Sequence, residues 1–196
     1  MMDLIERVEY NFNASIRAGM EAIPLLAGPV AEAADLIVRI LLQGGKIMSC
    51  GNGGSAAAAQ YFASLMLNRF ERERPGLPAI ALTTDSTTLT SIGADYDLDE
   101  IFAKQIHALG AGTDLLLTIS ANDNVDSVIA AVEAAHEREM QVIALSGGQT
   151  GRLARLLQGA DVEIRVPNDA ESRVLEVHFM TMHCLCDLID RQLLGS

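Results

Sequence analysis

Hydrophobic positions along the chain change their period near residue 45. Before it, Leu4, Ile5, Val8 and Phe12 recur at three- and four-residue intervals, as do Leu36, Ile37, Ile40 and Leu41. That spacing marks one face of a helix. Pro24 and Pro29 punctuate the stretch between the two sets, and Gly44-Gly45 stops the second. Residues 1–44 therefore read as N-terminal helices, an arm packed on the rest of the chain or on a neighbour. After residue 45 the apolar runs become short: Lys46–Cys50, Pro78–Leu82, Asp114–Ile119, Gln141–Leu145 and Val162–Val166. Each is rich in Ile, Val or Leu and too short for a lone helix. Helical segments lie between them, at Ser55–Asn68, near Asp99–Leu109, at Val125–Arg138 and at Gly151–Leu157, with a final helix from about Ala170 to Leu194. Strands alternating with helices predict an α/β fold with a parallel sheet covered on both faces. No repeat or long linker interrupts the pattern, so residues 1–196 read as one domain, with residues 45–196 as its core.

Composition narrows the functional classes. The chain has 196 residues, 49% hydrophobic and 20% charged, with a formal net charge of −12. A strongly acidic chain opposes direct contact with nucleic acid, which needs a basic surface to release counterions, and opposes an anionic membrane surface equally. The most apolar stretch, Leu25–Leu42, is broken by Glu32, Asp35 and Arg39, so no membrane span is expected. The start, Met1-Met2-Asp3, is wrong for a secretory signal. Cys50, Cys184 and Cys186 are odd in number, which suits a reducing cytoplasm and buried thiols better than disulfides.

Two loops stand where an open parallel sheet binds ligands, beyond the carboxyl ends of its strands. The first is Cys50-Gly51-Asn52-Gly53-Gly54-Ser55. Its glycines let backbone approach a ligand, and the helix it opens presents free N–H groups to an anion. A plain strand-to-helix turn capped by Ser55 reads equally well. The second is Ser120-Ala121-Asn122-Asp123-Asn124. Here Asn122, Asp123 and Asn124 cap helices well themselves, and Asp123 with Asp126 adds negative charge where a phosphate wants none. This loop reads as a poor phosphate cradle. Gly51, Asn52, Gly53, Ser55, Ser120, Asn122 and Asn124 are the candidate substrate contacts. Asp85 and Asp95 read as turn caps, and His136 and His183 as surface or interface residues. The run Arg69, Glu71, Arg72, Glu73, Arg74 reads as a solvated connector or as an interface lining. Leu193 and Leu194 are adjacent, so one helix face cannot bury both, and they are candidate partner contacts.

The segments SCGNGGS, RFERERPGLPAIAL, DLLLTIS and VEIRVP resemble the phosphoheptose isomerase family of SIS-domain proteins over nearly the whole chain. LNRFERERP, AKQIHALG and CLCDLID resemble its DiaA branch, which binds the replication initiator DnaA. The resemblance implies a three-layer αβα fold with a five-stranded parallel sheet in flavodoxin-like order, and a homotetramer. For the isomerase it implies interconversion of sedoheptulose 7-phosphate through an enediol, with a glutamate on the helix after the glycine loop and a histidine on the last helix as base and acid. Some members also hold zinc. Residue by residue, however, the family's H-F-A-E-E is Tyr61-Phe62-Ala63-Ser64-Leu65, and its R-I-Q-E-[IV]-H is Arg173-Val174-Leu175-Glu176-Val177-His178. The zinc positions become Tyr61, Leu65 and Leu175, so no metal or other cofactor is expected, and His178 remains as the catalytic remnant. The S-T-S-G-N-S loop has become Ser120 to Val125. The resulting expectation is a pseudoenzyme that regulates replication by binding DnaA, with sugar-phosphate binding retained, and with isomerase activity as the alternative.

Overall fold

The computed structural model describes residues 3–195. Met1, Met2 and Ser196, the ends of the expected domain, lie outside the described residues. The chain opens with a single helix, α1 (Leu4–Leu42), and not with two. Asp3 caps it in a capping box with Glu6. Pro24 and Pro29 sit inside it, each removing one backbone donor. The helix continues because Ala18, Ala22, Leu26, Val30, Ala33 and Ile37 form an unbroken buried stripe that packs on the last helix. Burial of that stripe outweighs two lost hydrogen bonds. Sequence punctuation was misleading here.

The elements that follow are β1 (Ile47–Cys50), α2 (Gly54–Leu67), β2 (Ala79–Ala81), α3 (Ser86–Asp95), a 3-10 turn (Leu98–Glu100) and α4 (Ala103–Leu109). After them come β3 (Leu115–Ile119), α5 (Asp126–Glu137), β4 (Gln141–Gly147), α6 (Arg152–Leu156), β5 (Val162–Val166) and α7 (Glu171–Leu194). Helix α3 was not expected. Its Ser- and Thr-rich stretch has no apolar period and no buried residue, and Asp85 holds its first turn by accepting from the N–H groups of Thr87 and Thr88.

All five strands are parallel, in the order β2-β1-β3-β4-β5. This is the flavodoxin-like order that the resemblance implies. Strand residues alternate between two cores. Leu115, Leu117 and Ile119 join the layer under α1, α2 and α7, while Met48, Leu116 and Val142 join the layer under α4 and α5. No helix among the described residues is long and apolar enough to cross a membrane.

The charged run before Pro75 divides. Arg69 and Glu73 form an exposed pair, yet Arg74 is buried. Its Nε donates to Asp190 Oδ1 at 2.6 Å, while Nη1 and Nη2 donate to the carbonyls of Met66 and Leu65 at the end of α2. The solvated-connector reading fails at this one residue because α2 ends with open carbonyls that need a donor. At the other terminus Leu194 is exposed, and Leu193 packs half-buried against the core.

Candidate functional site

Strand order reverses between β1 and β3, and the chain leaves both strands at that edge. Gly51 follows β1 and Ser120 follows β3. Together with the start of α7 they border a cleft of about 290 Å³, lined by Asn52, Gly54, Ser55, Ser120, Asn122 and Glu171 among others. Both loops singled out in the sequence therefore meet at one place. Asn52 Nδ2 donates to Ser127 Oγ at 2.7 Å and ties the first loop to the helix that follows the second.

The first loop needs its glycines. A Cβ on Gly51 would lie 2.5 Å from the Ile119 carbonyl oxygen and 2.9 Å from Ser55 Cβ, and Gly53 has φ +54°. Gly51→Ala is expected to cost about 1–3 kcal/mol, as overpacked sites do. Denaturant unfolding measures this, and an unchanged midpoint would show that the strand edge yields freely.

In the second loop Asp123 does not face the cleft. It is buried, and its Oδ2 accepts from Arg165 Nη2 at 2.6 Å and from the Gly151 N–H at 2.8 Å. Arg165 also pairs with Glu163, and the desolvated guanidinium is held above its ordinary pKa by hydrogen bonds and charge from Asp123 and Glu163. The charge that argued against a phosphate is thus neutralised on the far side of the loop. Ser120 Oγ donates to the Asn122 carbonyl at 2.6 Å, and Asn122 Oδ1 accepts from the Asn124 N–H at 2.9 Å, which fixes the loop's curl.

Three helices begin at this cleft without a side-chain cap: α2 at Gly53, α5 at Val125 and α7 at Ala170. By contrast α1 and α3 are capped by aspartates. Uncapped first turns expose N–H donors and the positive ends of helix dipoles. Their convergence suits an anion.

His178 stands elsewhere. It is fully buried, and its Nε2 is 3.0 Å from the Ser146 carbonyl oxygen, so the ring is the tautomer with hydrogen on Nε2. Burial pushes its pKa down to about 4, opposed by that bond. It borders neither loop. The row of α7 that meets α2 is instead Glu171, Leu175, Phe179 and His183, each four residues on. A Cβ on Gly54 would touch Leu175, Tyr61 packs on Phe179, and Tyr61 Oη lies 3.0 Å from His183 Nε2. Sequence reading missed Glu171 and the pairing of His183 with Tyr61. The four-residue repeat was the signal that carried both.

The zinc set does not fit. Of the positions that the resemblance assigns, Leu65 and Leu175 offer no ligand atom, and Tyr61 is engaged with His183. Among the described residues no group of three or more His, Cys, Asp or Glu side chains is placed to hold a metal.

The SIS domain family pattern matches residues 11–147. The chain is 55% identical to the phosphoheptose isomerase of Alkalilimnicola ehrlichii over 191 residues, 97% of each protein. It is 52% identical to that of an Azoarcus species over 194 residues, covering 99% of this chain and 98% of the relative. The phosphoheptose isomerase GmhA of Neisseria gonorrhoeae superposes with TM-score 0.92 at 47% identity, covering 96% of this chain and 99% of that one. The expectation of a DnaA-binding pseudoenzyme, drawn from the lost motif residues, is overturned by this identity, spread over whole chains to isomerases. The replacements at Tyr61, Leu65 and Leu175 are outweighed by identity that extends over the rest of the chain. This protein belongs to the phosphoheptose isomerase family of SIS-domain proteins.

Proposed function

We propose that this chain is an aldose–ketose isomerase that interconverts sedoheptulose 7-phosphate and the corresponding heptose 7-phosphate in the cleft between the two loops. The carrying observation is the convergence of three uncapped helix starts, those of α2, α5 and α7, on one small polar cleft. Such a cradle meets a phosphate with backbone N–H groups, and the hydroxyl of Ser55 adds a donor beside them. Asp123 is turned inward onto Arg165, and among the described residues lining the cleft Glu171 is the one carboxylate. The family supplies the reaction class. Purified protein given sedoheptulose 7-phosphate is expected to form the aldose product, followed by chromatography or NMR. A preparation that is folded and forms no product refutes the reading.

The same proposal includes self-association and a reducing cytoplasm. Helices α1 and α7 enclose an apolar groove of about 1070 Å³, lined by Ile16, Met20, Ile23, Leu26, Val177 and Met180. Beyond the groove, Leu4, Ile5 and Phe12 lie bare along the same helix. An apolar groove continuous with exposed apolar residues of the same helix supports a homotetramer in which α1 is the arm. Cys50 and Cys186 are buried free thiols, with burial pushing both up to about 12, which keeps them protonated and inert, whereas Cys184, expected to be buried with them, is exposed.

A further inference from the structure

An isomerase of this class moves a proton between adjacent carbons, and a leucine at position 65 cannot carry it. Leu65 packs half-buried against the core. We infer that Glu171, at the first turn of α7, carries the proton between C1 and C2 of the sugar phosphate; this rests on the isomerase reading above.

The inference comes from elimination among placed groups. Of the described residues lining the cleft, Glu171 is the one ionisable side chain. The other carboxylates nearby are engaged: Asp123 with Arg165, Asp126 with Arg152, and Glu176 with Arg173. Glu171 has no such ion pair among the described residues. Tyr61 on α2 and His183, about three turns further along α7, bond to each other, and His183 opens onto the apolar groove. His178 is sealed in the core. Position supports the same choice. Glu171 heads the row that continues through Leu175, which closes on Gly54, and both residues line the cleft. Leu175 then contributes an apolar wall beside the carboxylate.

The chemistry balances without any further reagent. The Glu171 carboxylate takes a proton from C1 of the ketose, and the C–H electron pair becomes the C1–C2 double bond. The carbonyl π pair moves to O2, which receives the proton leaving the O1 hydroxyl as the C1 carbonyl forms. The Glu171 carboxyl returns its proton to C2. Every atom of the ketose is in the aldose.

The test uses the full-length protein with sedoheptulose 7-phosphate in D2O. Glu171→Gln is expected to lower kcat by about 10²–10⁴, the usual loss for a positioned base, while KM changes by less than about threefold. It is also expected to lower the rate of deuterium incorporation at C1 of the recovered ketose by a similar factor. Thermal protection by inorganic phosphate is expected to persist, which shows that fold and cradle are intact. A group that merely complements the helix dipole would change the melting temperature and leave kcat and exchange untouched, and that result overturns the inference while wild-type turnover keeps the isomerase reading. Glu171→Asp keeps the charge at the helix start and is expected to retain at least tenfold more exchange than Glu171→Gln, roughly within the range a positioned base supplies. Exchange by Glu171→Gln at the wild-type rate overturns the inference. Wild-type protein without turnover overturns the isomerase reading and this inference together.

Discussion

Asp190→Ala is expected to destabilise the protein by about 3–5 kcal/mol, the usual loss when a buried ion pair is left with one partner. The side chains of Arg74 and Asp190 are only 1% and 2% exposed. Removing the carboxylate leaves a guanidinium with backbone carbonyls for company and no counter-charge. For a chain of this length each kcal/mol shifts the melting temperature by roughly 2–4 °C, so a fall of roughly 10 °C is expected by thermal denaturation. The double variant Arg74→Met with Asp190→Leu separates charge from position. Replacing both members of a buried pair with apolar residues is often nearly neutral. Here the double variant is expected to recover only part of the loss, because Arg74 also holds the carbonyls of Leu65 and Met66. A single variant that melts within a degree of wild type would mean that water reaches Arg74.

The second large effect follows pH. His178 is neutral in the folded protein down to about pH 4, whereas an unfolded histidine titrates near 6.5. Between those values the unfolded chain binds the extra proton, so acid favours unfolding. The contribution of His178 to stability is therefore fully present above pH 6.5 and is lost progressively as pH falls towards 4. The full span is worth roughly 3 kcal/mol. His178→Gln retains a donor for the Ser146 carbonyl and cannot titrate. Unfolding free energies of the two proteins are expected to diverge in slope between pH 6.5 and 4, with the variant the flatter. Parallel curves would show that the ring is protonated in place.

The sheet could be read from the chain because buried parallel strands are short apolar runs with turns at both ends. Val162–Val166 was bounded correctly from its residues alone. Helix α3 escaped because an exposed Thr-rich helix carries no period, and α1 was cut in two because a proline's local cost is visible in sequence while the distant surface that repays it is not. The site divides in the same way. Glycines flanking Asn52 announce a close backbone approach wherever they occur. The direction of Asp123 depends on Arg165, 42 residues further on. The order of residues on α7 shows several possible faces, and only packing against α2 selects the row holding Glu171 and His183.

Arg165 belongs to β5, an edge strand of the sheet, yet its guanidinium holds the loop after β3 through Asp123. The rim of the sheet thus acts as a buttress for the cleft two strands away. A substitution in β5 that removes that guanidinium is expected to loosen the loop after β3 through the Asp123 carboxylate, without anything touching the mouth itself.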